Sequence, residues 1–205
     1  MIDGVIKYSI NHKSAESPEF LKYRELEELR SRLFALGFIG QKDEIGYGNI
    51  STRRDESGTF FITATQTGNC ASLADEFYTY ISAYDFSNFS VTSQGKHQPS
   101  SEALSHAMIY NIHPEITAVI HIHSLTLWEF MKKNGALATS AEYGTAEMVS
   151  EIAALYDGLN PFNSAAFVMK GHSEGIMTFG KTISEAELQL YRILNSYLEE
   201  KNSSG

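Results

Sequence analysis

With 205 residues, 42% hydrophobic and 20% charged, the chain is long enough for one sizeable core and reads as a single domain over 1–205, with 1–16 and 200–205 peripheral. A formal charge of −9 and a pI near 5.2 leave no electrostatic footprint for nucleic acid or an anionic membrane surface. The single cysteine, Cys70, excludes an internal disulfide framework; with no signal-like opening and no apolar run of spanning length, the expected location is cytoplasmic.

In chain order, SPEFLKYRELEELRSRLFALG predicts an amphipathic helix: Ser17 as candidate cap, Pro18 at the first helical position, then Phe20, Tyr23, Leu26, Leu29 and Leu33, stopped by Gly37. GYGNISTRR and TFFITAT, separated by DESG, predict an antiparallel hairpin, and FYTYISAYDF and FSVTS further strands. PSSEALSHAMIYN turns to helical spacing before Pro114 and the apolar strand AVIHIHS. LTLWEFMKK and TAEMVSEIAALYDG read as helices, AAFVMKG and GIMTFG as short strands around a turn. SEAELQLYRILNSYLEE closes the pattern with a capping box from Ser184 to Glu187 and a stripe of Ala186, Leu190, Ile193, Leu194 and Tyr197, and KNSSG is expected to fray. Strands clustered centrally between helices predict an α/β fold with a mixed, largely antiparallel sheet covered by helices.

The pair in AVIHIHS carries the first chemistry. Alternation along a strand puts His121 and His123 on one face, about 6.6 Å apart, with Ile120 and Ile122 on the other. Chance placement of 7 histidines in 205 residues gives roughly 0.24 such pairs, so spacing alone leaves metal ligands and hydrogen-bonded core histidines both open. The apolar approach Ala118, Val119, Ile120 adds burial, where an imidazole is costly unless hydrogen-bonded or metal-bound.

A catalytic zinc takes three protein ligands and keeps an open position, and His172, after Gly171 at the end of a predicted strand, is a candidate third; the alternative is a solvated turn histidine. Glu102 falls in the first turn of its helix, where an acid suits the dipole and also offers a base. Ser100 and Ser101 are natural caps, yet a helix start with two hydroxyls and free N–H groups also binds anions. His106, four residues after Glu102, is either a partner behind the site or a rival ligand. Gly48 and Asn49, and Thr67 and Gly68, pair exposed main chain with a polar side chain and could join that cradle.

GNIS, ITATQTG, PSSEALSHAMIY, AVIHIHS, YGT and GHSEGIMTFGKTISEA, in that order from about Leu26 to Leu194, resemble the class II aldolase/adducin family, whose best-known members are zinc-dependent fuculose- and rhamnulose-phosphate aldolases and ribulose-phosphate 4-epimerases. The resemblance implies a three-layer α/β/α fold around a mixed, mostly antiparallel sheet, assembled as a homo-oligomer with a tetramer favoured. It implies Zn2+ on His121, His123 and His172, with Glu102 as acid/base. Imidazole also serves Mn2+, Co2+ and Fe2+. It further implies Gly48, Asn49, Thr67, Gly68, Ser100 and Ser101 as phosphate-binding positions, with Thr65 a rival for Thr67.

The activity implied is an aldolase-type lyase that cleaves or forms a carbon–carbon bond in a small phosphorylated sugar through an ene-diolate. One departure stands against it. The stretch SLTLWEFMKKNGALATSAEYGTAEM is shorter than in fuculose-phosphate aldolases, and its Tyr143 is not where their proton-donating tyrosine lies. Epimerase or dehydratase chemistry on the same metal scaffold, or a non-catalytic adducin-like interaction module, are the alternatives; the intact histidines and glutamate count against the last.

Overall fold

The computed structural model describes residues 5–54 and 57–203. Eleven strands and five α-helices are present among them: β1 Ser9–Ser14, α1 Tyr23–Ala35, β2 Gly40–Lys42, β3 Ile45–Tyr47, β4 Asn49–Arg53, β5 Phe60–Thr63, β6 Tyr78–Asp85, β7 Ser90–Gly95, α2 Ala103–Ile112, β8 Ala118–His123, α3 Leu125–Lys133, β9 Ala138–Thr139, α4 Ala146–Leu155, β10 Ala166–Met169, β11 Gly175–Gly180 and α5 Ile183–Ser203. Nine strands form one sheet in the order β1-β7-β6-β5-β4-β8-β11-β10-β9, and β2 and β3 pair as a separate ribbon. Only the edge pairs, β1 with β7 and β9 with β10, are parallel. The sheet is therefore mixed and mostly antiparallel.

Helices cover both faces because the strand pleat divides the apolar residues between them. Ile50, Ile120, Ile122, Val168 and Ile176 join Leu26, Leu29 and Leu33 of α1, Leu127 and Met131 of α3, and Ala186 and Leu190 of α5 in one core. Phe60, Ile62, Ile81, Val119, Phe167, Met177 and Phe179 join residues of α2 and α4, among them Ala107, Ile109, Met148 and Ile152, in the other. Central β8 is buried at all six positions, as a strand covered on both sides must be. No helix among the described residues is long and apolar enough to cross a membrane.

Several local readings differ from the structure. Ser17 does not cap α1, which starts at Tyr23; its hydroxyl donates to the Tyr78 and Gln94 carbonyls, tying the preceding segment to the sheet. The cap of α5 lies two residues earlier than expected. Thr182 accepts from the Glu185 N–H and Glu185 accepts from the Lys181 N–H, while Glu187 is drawn away by the Arg32 guanidinium at 2.8 Å. Lys201–Ser203 of the expected frayed tail continue α5, with the Ser203 hydroxyl donating to the Glu199 carbonyl. Ser9–Ser14, within the stretch read as peripheral, adds edge strand β1; residues 1–4 and 204–205 lie outside the described residues. The expected hairpin is β4–β5, its DESG turn including residues 55 and 56, which are likewise outside.

Candidate metal centre and active site

Strand β8 places His121 and His123 on the α2/α4 side of the sheet, and its neighbours fix what surrounds them. In register, Asn49 of β4 lies across from His121, and Gly175 of β11 across from His123. His172 sits in the turn between β10 and β11, closed by the His172 N–H to the Met169 carbonyl and the Gly175 N–H to the His172 carbonyl. A Cβ on residue 175 would meet the His172 ring at 2.8 Å and the His121 ring at 3.2 Å, so glycine there lets the two imidazoles approach.

The three rings converge. His123 Nε2 lies 3.1 Å from His121 Nε2 and 3.0 Å from His172 Nε2, close to the roughly 3.3 Å between nitrogens on a tetrahedral zinc. All three are buried. The Nδ1 of His121 faces the Ile176 carbonyl at 3.2 Å, so it carries the proton and Nε2 presents a lone pair. That lone pair faces a further acceptor, Oε2 of Glu102, at 3.1 Å. Burial, reinforced by the neighbouring imidazoles, pushes the His121 and His123 pKa values down, and neutral rings leave this acceptor-rich centre without enough protons. A divalent cation satisfies such a donor set, so the residues present fit a metal.

Glu102 is the residue immediately preceding α2 and is 4% exposed. Its Oε2 also accepts from the Asn49 side-chain amide at 2.7 Å. Asn49 thus grips the carboxylate, a contact its spacing in GNIS did not reveal. Ser100 accepts from the Glu102 N–H at 3.3 Å, shaping the turn before the helix. His106 is not among the converging rings: Nδ1 engages the Ser51 hydroxyl at 2.7 Å, and Ser51 in turn meets the Tyr110 hydroxyl at 2.7 Å.

One cleft connects these groups. Gly48, Asn49, Thr67, Gly68, Ser100, Ser101, Glu102 and the three histidines all line it, as does Thr65. Gly48 holds a left-handed φ of +77°, and a Cβ there would strike Ile39 at 2.8 Å, so this glycine serves the bend between β3 and β4. The Thr67 hydroxyl donates to the Ala64 carbonyl, keeping its lone pairs.

Sequence reading gave no site role to four contributors. The Tyr47 ring stacks on His123 with centroids 5.2 Å apart, and Tyr143 packs on His172 at 4.8 Å. Lys7 lies 4.0 Å above the Tyr143 ring and bonds the Glu142 carboxylate and the Tyr143 carbonyl. The buried Tyr8 hydroxyl donates to the Ser100 carbonyl at 2.8 Å. The YGT match was the only pointer to any of them; aromatic rings and an N-terminal lysine carry no spacing signal.

The profile of the Class II Aldolase and Adducin N-terminal domain family matches residues 32–196. The chain belongs to that family. Among solved structures, this class II aldolase-family chain is similar to a sugar-phosphate aldolase from Thermotoga maritima (TM-score 0.68, 20% identity, 90% of this chain and 96% of that one). It is similar also to an L-fuculose 1-phosphate aldolase (0.66, 20%, 92% and 90%). A third is YgbL from Klebsiella pneumoniae, described as a candidate aldolase/epimerase/decarboxylase (0.64, 17%, 85% and 85%). At these identities the likeness is one of fold. No curated protein matches the chain in sequence.

Proposed function

We propose that this class II aldolase-family chain is a metal-dependent aldehyde-lyase that cleaves or forms a carbon–carbon bond in a small phosphorylated sugar, with zinc held by His121, His123 and His172. The observation that carries the reading is Glu102 Oε2, 3.1 Å from His121 Nε2, at the edge of a cleft lined by hydroxyls and main chain. When bound, the ion supplies Lewis-acid polarisation of a carbonyl and steadies the negative charge that develops beside it. In the cleavage direction the carbinol hydroxyl gives its proton to the Glu102 carboxylate as the aldehyde forms. The electron pair of the broken bond stays on the carbon next to the carbonyl of the other fragment. Glu102 returns a proton to that carbon, and Asn49 holds the carboxylate in line for it. Ser100, Ser101, Thr67, Gly68, Gly48 and Asn49 bind the phosphate end and fix the register of the reacting bond. The expected assembly is a homo-oligomer, a tetramer by family resemblance.

A second reading, epimerisation or dehydration on the same scaffold, is favoured by one observation. The only tyrosine between His123 and α4 is Tyr143, and its ring is committed to His172 and Lys7. Incubating the zinc-loaded protein with a panel of sugar phosphates, with products read by mass spectrometry, decides between them. An aldehyde and a smaller phosphorylated ketone support cleavage. Recovery of an isomerised or dehydrated sugar with its carbon skeleton intact overturns it.

A further inference from the structure

The cleft presents an electrostatic problem. Among the described residues, no lysine or arginine lines it, and the chain as a whole is acidic. An anion placed there faces the Glu102 carboxylate with only the metal, neutral hydroxyl and amide groups and main-chain dipoles to hold it.

Arg30 lies behind one wall. It is on α1, 1% exposed, and forms no ion pair with a carboxylate among the described residues. Its guanidinium donates instead to three carbonyls of a single loop: Thr67 and Cys70 at 2.8 Å and Ala71 at 3.4 Å. The acid nearest in sequence, Glu27, spends its carboxylate on the Tyr78 hydroxyl, the Leu73 N–H and the Ser31 hydroxyl. A cation buried against carbonyls, with Glu27 near enough to favour its charge but not bonded to it, is costly to place there.

The geometry of the loop suggests what the cation does. A trans peptide sets its N–H opposite its C=O, so the unit whose Thr67 carbonyl faces Arg30 directs the Gly68 N–H away from it. Gly68 is buried, lines the cleft, and its N–H has no acceptor among the described residues. Buried main-chain N–H groups are almost always paired, so an orphan on a cleft wall points to a ligand that accepts.

We infer that Arg30 is a positioning residue for the anionic end of the substrate: it pins the Thr67–Ala71 loop by its carbonyls so that the Gly68 N–H meets the anion, and it supplies positive charge one peptide behind. This inference rests on the phosphate reading of the cleft. It assigns the specificity for an anion to a helix residue that never touches the ligand.

Binding of inorganic phosphate to the metal-loaded protein, measured by calorimetry, tests it with Arg30→Met and Arg30→Lys. Arg30→Met should weaken phosphate about 10- to 100-fold while metal content stays at the wild-type level. Arg30→Lys, which keeps the charge but serves fewer carbonyls, should fall between, and it carries the test where the methionine variant does not fold. In the wild type, phosphate should slow hydrogen exchange at the Gly68 amide. Unchanged phosphate affinity in either folded variant, or parallel loss of metal and phosphate, overturns the role of Arg30. Failure of the wild type itself to bind phosphate overturns the phosphate reading first, and the inference with it.

Discussion

The Asn49 side-chain amide donates to Glu102 Oε2 at 2.7 Å, the same oxygen that lies 3.1 Å from His121 Nε2. One carboxylate oxygen is therefore shared between a neutral donor and the histidine cluster, and residue 49 touches it directly. Asn49→Asp replaces the donor with a like charge, which disfavours ionised Glu102 and raises its pKa. The acid limb of the pH–rate profile should move up by about one unit or more. A profile superimposable on that of the wild type would show that Glu102 is not the titrating group. Glu102→Gln should leave metal content nearly intact and lower turnover by about 100-fold or more.

Metal removal should cost stability as well as activity. With zinc at a hundredfold excess over its dissociation constant, linkage adds about 2.7 kcal/mol to the folded state. Thermal melts before and after chelation, and of His123→Ala, should show a higher midpoint only for the wild type with zinc. An unresponsive wild type would contradict the ligand assignment.

Tyr8→Phe removes the hydroxyl that holds the Ser100 carbonyl from beneath, in a buried setting. The expected loss is about 1–2 kcal/mol in denaturant unfolding. Because the Ser100–Glu102 turn is the part released, KM for phosphorylated substrates should rise more than kcat falls. An unaltered KM would make Tyr8 a packing residue only.

Acid should weaken the metal-free protein above the pH at which exposed carboxylates begin to protonate. Burial, together with neighbouring imidazoles, holds His106, His121 and His123 well below the ordinary histidine value of 6.5. Below 6.5 the unfolded chain binds protons that the folded chain refuses, so stability falls as the pH drops and is flat above that value. Denaturant midpoints between pH 5 and 8, measured on chelated protein, check the sign. A midpoint that rises on acidification would mean these rings are protonated in the fold.

The architecture was legible wherever periodicity had room to speak. β8, α2, α3 and α4 lie where alternation or helical spacing placed them, because each buries one face or two against a neighbouring layer. Short or edge elements were not: β1 pairs by main-chain bonds along a sequence, SINHKS, with no apolar alternation, and β2–β3 spans only three residues per strand. At the site, the polar residues carried their own chemical signal, and one cleft holds all of them except His106. What supports them did not. Arg30 looked like one more charge on an amphipathic helix, and only the fold brings it to the carbonyls of residues some forty positions away.

β8 sends Ile120 and Ile122 into one apolar layer and His121 and His123 toward the cleft from the opposite face. A slip of a single residue against β4 or β11 would invert the strand, sinking both imidazoles in hydrocarbon and turning two isoleucines toward the substrate. Under the proposed ligand assignment, capture of an ion would double as proofreading: a compact, helical but misthreaded molecule could not load metal, and the loaded fraction would report how many chains zipped correctly.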